Sequence, residues 1–344
     1  MAVCTFTSGT EIGDYRKPYI VAEVNTSHNG NLDEAKRMID SACEAGCDCV
    51  KFQSWTSESL YSAEYYKQNP ISKRIFNKFS FGEQQLLEVA EYCKTKSISF
   101  SSTPYSKEEV DFLLNRCAVP YIKIASMDIN NYPFIDYIAR TGAPIVLATG
   151  MGGMDEIREA VETVIKARNA NLCLLHCISI YPPELETIRL HNILGLRDEF
   201  SEFPIGFSDH SLGVEIASAA VALGAAMIEK HLTLDKSRIG MDNQMAIEPN
   251  EMKELVRNCQ NIHVALGDKE RIVLQDELTQ RTKMRRSIVF TRSLGSGHVL
   301  VRDDMDAKRP GTGFEPKLIE QFVGKMLAND VTVDSILKKE DLVL

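Results

Sequence analysis

The 344-residue chain carries 44% hydrophobic and 25% charged residues, the balance of a soluble globular protein, and its length fits one large domain plus a small one. A net charge of −9 excludes general nucleic-acid binding, which needs a basic footprint, while leaving room for a small anion held by a few local cations. The nine cysteines form neither a CxxC pair nor a disulfide framework and read as reduced core residues of a cytoplasmic protein.

Residues 1–14 are polar and lack the basic segment and apolar core of a signal peptide. From residue 19 onward, short apolar or β-branched runs alternate with helix-period segments. The runs cover residues 19–24, 49–53, 98–102, 121–125, 144–148, 172–177, 204–207 and 226–230. Leu32 to Ala45 is the clearest helix: Leu32, Ala35, Ile39, Ala42 and Cys43 share a face, Asn31 can cap it, and Gly46 ends it. The longest apolar stretch, residues 216–228, is too short to span a bilayer and contains Gly224, so no membrane segment is expected. Repeated strand–helix units with near-continuous apolar strands predict a (β/α)8 TIM barrel. A doubly wound open sheet is the structural alternative, but no GxGxxG follows the first run.

Two connections are long. Residues 54–80 hold Trp55, Tyr61, Tyr65, Tyr66 and Phe76 and read as a lid or rim over the barrel mouth; residues 233–249 follow the eighth run. The barrel is expected to occupy residues 1–267, followed by a polar linker over 268–284. Residues 285–344 change character, with a strand near Ser287 and a turn at Gly295-Ser-Gly297. At about 60 residues they form a small separate domain with a modest core.

In a TIM barrel the chemistry lies at the C-terminal ends of the strands. Those ends supply Glu23 and Asn25, Lys51 and Gln53, Ser101-Ser-Thr-Pro104, Lys123 with Ser126 and Asp128, and Thr149-Gly150. The later strands add His176 with Tyr181, then Ser208, Asp209 and His210, then Glu229, Lys230 and His231. Taken singly, Lys51 or Lys123 reads as half of a buried ion pair with Glu23 or Glu229. Together with the Ser and Thr hydroxyls they describe a phosphate or carboxylate site, and a Schiff-base lysine is a third reading. His210 and His231 end successive strands joined by a small apolar helix, which brings two imidazoles to one edge as the start of a divalent metal site. His28 and His176 are open between structural and functional roles, whereas His191, His263 and His298 read as structural.

These motifs together resemble the sialic acid synthases, enzymes that condense phosphoenolpyruvate with an amino sugar. The resemblance runs from about Pro18 to the C-terminus on Ala22-Glu-Val-Asn25, His28-Asn-Gly30, Val50-Lys-Phe-Gln53, Ser102-Thr-Pro104 and Lys123-Ile-Ala-Ser126. It continues on Thr149-Gly-Met151, His176-Cys177 with Tyr181-Pro182, Gly206-Phe-Ser-Asp-His210 and Glu229-Lys-His231. Lys308-Arg-Pro-Gly-Thr-Gly313 is similar to the antifreeze-like SAF (β-clip) domain those enzymes carry.

The resemblance implies a divalent metal, Mn2+ or Mg2+, on His210 and His231. It implies that Lys51, Thr103, Lys123, Ser126 and Ser208 hold phosphoenolpyruvate. Glu23 and Asp242 would orient an N-acylated amino hexose, and Tyr181 would line its pocket. Arg309 would reach the acceptor of a neighbouring subunit, which makes the protein a domain-swapped homodimer. A carboxylate near C2 of phosphoenolpyruvate would manage charge and protons; the family has Glu where this chain has Asp128, about 1.5 Å shorter in reach. Ser179 stands where the family often has Asn, and Gly240-Met-Asp242 where it has Gly-Pro-Asp. These departures surround the acceptor, so N-acetylmannosamine and the diacetamido-dideoxy hexoses all stay open. Two further alternatives are a synthase of a shorter 3-deoxy-ulosonate and a non-catalytic protein that binds carbohydrate or ice.

Overall fold

A computed structural model describes residues 2–238 and 240–343, in two compact units, 1–267 and 268–344. The first unit opens with an antiparallel hairpin, β1 (Val3–Thr5) and β2 (Glu11–Gly13). Eight parallel strands follow: β3 (Tyr19–Glu23), β4 (Cys49–Ser54), β5 (Ser99–Pro104), β6 (Ile122–Ile124), β7 (Ile145–Ala148), β8 (Leu172–Cys177), β9 (Ile205–Asp209) and β10 (Met227–His231). They form one sheet in the order β5-β4-β3-β10-β9-β8-β7-β6. β5 and β6 come side by side without a hydrogen-bonded ladder, so the barrel is nearly closed. The eight runs expected from the sequence are the eight barrel strands.

Both faces of each strand are buried, which is why the strands read as apolar runs rather than alternating ones. Ile20, Ala22, Val50 and Phe52 face the helical layer and join its large core. Val21, Cys49, Tyr121, Val146, Cys173, Leu175 and Met227 fill the barrel interior instead. This interior cluster continues into the hairpin through Cys4, Phe6 and Ile12, with the Phe6 ring 4.7 Å from Tyr121 and 5.2 Å from Tyr19. The hairpin therefore plugs the N-terminal end of the barrel. Residues 1–14, expected only to be polar, contain these two three-residue strands.

The helices follow local rules. In the helix Leu32–Ala45, the Asn31 side chain accepts from Glu34 N at 3.0 Å, and Gly46 ends it with φ of 85°. Ala35, Met38, Ile39 and Ala42 are its buried face. The long connection after β4 is helical rather than a loop, with segments Ser57–Leu60, Ala63–Gln68 and Pro70–Phe79. Gly30 ties it down: with φ of 73°, a Cβ there would meet the Lys78 carbonyl oxygen at 2.1 Å.

The second unit contains a helix, Gln275–Met284, inside the stretch read as a linker. Its β11 (Ser287–Phe290) pairs antiparallel with β12 (Met305–Lys308) over a core of Ile288, Phe290, Leu300, Met305 and Leu337. Asp304 is fully buried there; it accepts from Arg292 Nε at 2.9 Å, His298 Nε2 at 2.7 Å and Val301 N at 3.0 Å. All nine cysteines are free. Among the described residues no helix is long and apolar enough to cross a membrane.

Candidate active site

The inward positions of the strands change from apolar to polar halfway up the barrel. Above Val21, Cys49, Tyr121 and Met227, each strand's next inward residue is Glu23, Lys51, Lys123 and Glu229. Register aligns Glu23 with Lys51 on one side and His231 on the other, and Glu229 with Ser208. A cavity of about 530 Å³ opens above this layer at the C-terminal end of the barrel.

At its floor, Glu229 is shared by two cations. Lys123 Nζ lies 3.0 Å from Oε1 and Lys51 Nζ 3.7 Å from Oε2, while Ser208 Oγ donates to Oε1 at 2.9 Å. Lys51 also pairs with Glu23 and donates to Thr103 Oγ1 at 3.1 Å. Burial works against the charge on Glu229, yet Lys123 and then Lys51 hold its carboxyl down at about 2. Burial pushes the Glu23 carboxyl up to about 7, with Lys51 opposing. The Asn25 amide, at a φ of 43°, donates to Glu23 Oε1 at 2.9 Å and fixes that carboxylate. Of the alternatives the sequence left open for Lys51 and Lys123, the structure shows buried ion pairs with Glu23 and Glu229.

Ser126 and Ser179 meet at Gly150. The Gly150 amide donates to Ser126 Oγ at 3.1 Å, and a Cβ on Gly150 would lie 2.6 Å from that oxygen and 2.4 Å from Ser179 Oγ. Asp128 is outside the cavity lining. Its Oδ1 accepts from Asn131 Nδ2 at 3.1 Å, its Oδ2 is buried without a partner, and burial raises its carboxyl despite Asn131.

His210 and His231 share one wall, ring centroids 5.2 Å apart, and the half-exposed Tyr181 ring covers His210 at 4.2 Å. His210 Nδ1 lies 2.8 Å from the Ile178 carbonyl, which can only accept, so Nδ1 donates there and Nε2 is the nitrogen left to face a ligand; burial opposes the charged imidazole, but Cys177 raises it above its ordinary value. His231 Nδ1 is buried without a hydrogen-bond partner, 3.7 Å from Asp242 Oδ2. Burial, then His210, holds His231 well below the ordinary imidazole range, so it is a neutral donor. Among the described residues no three His, Cys, Asp or Glu side chains close into a complete metal cage. The two adjacent imidazoles fit a divalent ion whose remaining positions go to other oxygen ligands.

His28 and His176 are structural. His28 accepts from Gly30 N at 3.0 Å and stacks on Phe81 at 3.9 Å; His176 Nε2 lies 2.7 Å from the Ile188 carbonyl. Lys230, between Glu229 and His231, points the other way: it is fully buried and donates to Asp209 Oδ2 at 2.6 Å. Arg309 is an exposed residue of the second unit. The sequence treats Glu229 only as a possible counterion. Its two-residue phase with His231, and the opposite phase of Lys230, were the signal that it faces the site. Trp55, Tyr61 and Phe76 of the 54–80 connection line the cavity, as does Tyr105, to which no motif pointed.

Residues 38–271 match the NeuB family and residues 285–343 the SAF domain. The N,N'-diacetyllegionaminic acid synthase of Legionella pneumophila is 35% identical over 338 residues, 94% of this chain and 94% of that protein. Human N-acetylneuraminate-9-phosphate synthase is 33% identical over 341 residues, covering 96% and 94%. The crystal structure of N-acetylneuraminic acid synthetase from Leptospira borgpetersenii, in complex with citrate, superposes with a TM-score of 0.74 at 33% identity, covering 81% of this chain and 96% of that one.

Proposed function

Because this chain belongs to the NeuB family, we propose that its barrel condenses phosphoenolpyruvate with an N-acylated amino hexose, giving a sialic-acid-like nonulosonate and inorganic phosphate. The observation that carries this reading is the juxtaposition of the Lys51–Glu229–Lys123 cluster and the His210–His231 pair in one cavity. Relatives named as nonulosonate synthases do not favour a shorter ulosonate or a non-catalytic protein.

Lys51 and Lys123 hold the phosphate and carboxylate of phosphoenolpyruvate, with Thr103, Ser126 and Ser208 donating hydroxyls. Two fixed ammonium groups in a buried site bind a trianionic ligand strongly because little water competes. C3 of phosphoenolpyruvate attacks the aldehyde carbon of the open-chain sugar and C2 becomes electron-poor. Water adds to C2, and phosphate leaves with its bridging oxygen as the adduct collapses to the ketone. A divalent metal on His210 and His231, Mn2+ or Mg2+, supplies Lewis acidity at the aldehyde oxygen when bound. Glu23 and Asp242 orient the acceptor hydroxyls beside Tyr181; Asp128, outside the cavity lining, manages protons near C2 through a bridging water, or that role passes to Glu23. Arg309, from a neighbouring subunit of a domain-swapped dimer, completes the acceptor site. The enzyme works in the cytoplasm, where phosphoenolpyruvate is made.

The test is an acceptor panel: phosphoenolpyruvate and Mn2+ with N-acetylmannosamine and two diacetamido-dideoxy hexoses, reading phosphate and product mass together. Stoichiometric phosphate and a nine-carbon product are expected with at least one. No turnover with any of the three overturns the reading.

A further inference from the structure

His210 and His231 stand at the ends of β9 and β10, and the ladder between those strands stops one residue short of them, at Asp209 and Lys230. Successive residues of a strand point to opposite faces, so Asp209 and Lys230 face away from the cavity. Their phase is that of Ile205, Phe207 and Ile228, which belong to the core between barrel and helices. Two charged side chains thus end a stripe whose pattern calls for further apolar residues.

Lys230 is fully buried, and Asp209 and Ser211 are each 1% exposed. Lys230 Nζ donates to Asp209 Oδ2 at 2.6 Å and to the Ser211 carbonyl at 2.5 Å. Asp209 in turn accepts from the Ser211 amide at 2.9 Å through Oδ1 and from Ser211 Oγ at 3.0 Å through Oδ2. These bonds bracket His210: the residues on either side of it are both tied to the residue that precedes His231. His231 itself is held by strand pairing, with Glu23 as register partner and the Ile247 amide donating to its carbonyl at 2.9 Å. His210 lies beyond β9 and, among the described residues, has no register partner on β8 or β10.

A buried ion pair is a poor source of stability, because desolvation cancels much of its attraction and apolar residues of similar volume serve as well or better. What this one supplies is geometry. Charge-assisted bonds are short and directional, and a shift of His210 along β10 would break several of them at once. A metal held by two imidazoles needs that restraint, since its ligands must stay within about 0.5 Å of their productive positions. We propose that Lys230, through Asp209 and the Ser211 carbonyl, is a positioning residue that sets the spacing of His210 and His231 for a divalent ion. It acts from behind the cavity wall, through the backbone. The assignment rests on those two histidines holding the metal, as argued above.

The test is Mn2+ binding by calorimetry on the chelator-treated full chain, in the wild type, Lys230→Met and the double variant Lys230→Met, Asp209→Asn. The single variant leaves the Asp209 carboxylate buried without its cation and is expected to unfold at lower urea. The double variant removes both charges, keeps an acceptor for the Ser211 amide, and is expected to regain stability. Mn2+ affinity is expected to fall by about tenfold in both, the scale set by groups that orient metal ligands from behind. In a His210→Ala background the same double change is expected to cost less than about twofold, because no second imidazole remains to be aligned. Wild-type Mn2+ affinity in the double variant, or a tenfold loss that persists in the His210→Ala background, overturns the proposal. Should Lys230→Met fail to fold, the double variant decides alone. Absence of Mn2+ binding in the wild type overturns the metal site and this proposal with it. Failure of the acceptor panel overturns the reaction alone, since Mn2+ binding needs no turnover.

Discussion

Lys123 Nζ reaches across the barrel interior to lie 3.0 Å from Glu229 Oε1, with both side chains no more than 5% exposed. Three strands separate β6 from β10 in the sheet, so the pair bridges the lumen rather than a ladder. Buried ions recover their desolvation cost only when paired, and here one carboxylate serves two ammonium groups.

Glu229→Gln should therefore lower stability by about 3–5 kcal/mol, because two buried lysines are left with Glu23 as their near anion. Urea unfolding gives the number. The double variant Lys123→Met, Glu229→Leu should regain most of that loss while phosphate release stays absent. A double variant no more stable than the single one would refute this account of the cluster.

His210→Ala and His231→Ala should each weaken Mn2+ binding by roughly tenfold or more, since even a partner that only orients a metal ligand is worth that much. Calorimetry on chelator-treated protein measures it. Chelation should abolish phosphate release in the wild type, with recovery on adding Mn2+ or Mg2+. Release retained in a His210→Ala, His231→Ala double variant would remove the metal from the reaction.

Gly150→Ala places a methyl where Ser126 Oγ and Ser179 Oγ now sit, at 2.6 and 2.4 Å. Overpacking of this kind costs about 1–3 kcal/mol. If Ser126 serves the phosphoenolpyruvate site, its displacement should raise KM for phosphoenolpyruvate while KM for the acceptor changes less. Steady-state kinetics with each substrate varied in turn makes the comparison. An unchanged KM for phosphoenolpyruvate would separate Ser126 from that substrate.

Asp304 gives the second unit an acid-sensitive lock. Burial opposes its ionisation, but the Val301 amide, His298 and Arg292 hold its carboxyl down at about 2, against an ordinary 3.8. A depressed carboxyl contributes stability that is full above the unfolded value and is lost as pH falls through the folded one. The loss should run from about pH 4 to pH 2, and Asp304→Asn should remove the contribution already at neutral pH. Hydrogen exchange of the Ile288–Phe290 amides follows it; wild-type protection at pH 7 in the Asp304→Asn variant would contradict it.

The barrel was legible because double burial turns each strand into an apolar run bounded by polar turns. Strand ends were legible to within a residue or two for the same reason, as at Leu172–Cys177. The N-terminal hairpin was not, since three residues are too few to establish a period and its buried Cys4, Phe6 and Ile12 are scattered among polar neighbours. In the site, Lys51, Lys123, His210 and His231 stood out as chargeable residues in apolar surroundings. Glu229 and Lys230 looked equivalent there, and only their opposite sides of β10 separate a cavity wall from a buried strut. Trp55 was placed at the barrel mouth by its long connection, whereas Tyr105 was hidden because an aromatic just past a strand end has many possible uses; a tertiary contact between two strand ends selects one.

The plug formed by Cys4, Phe6 and Ile12 turns the barrel into a blind well, and a well imposes a queue. If phosphoenolpyruvate sits on the lysines, as proposed, it must descend past Gln53 and Trp55 before a sugar fills the upper level. On that arrangement the last molecule in should be the first out, with the nine-carbon product clearing the mouth before phosphate follows. Excess acceptor entering an empty well should accordingly block its own reaction, as inhibition competitive with phosphoenolpyruvate.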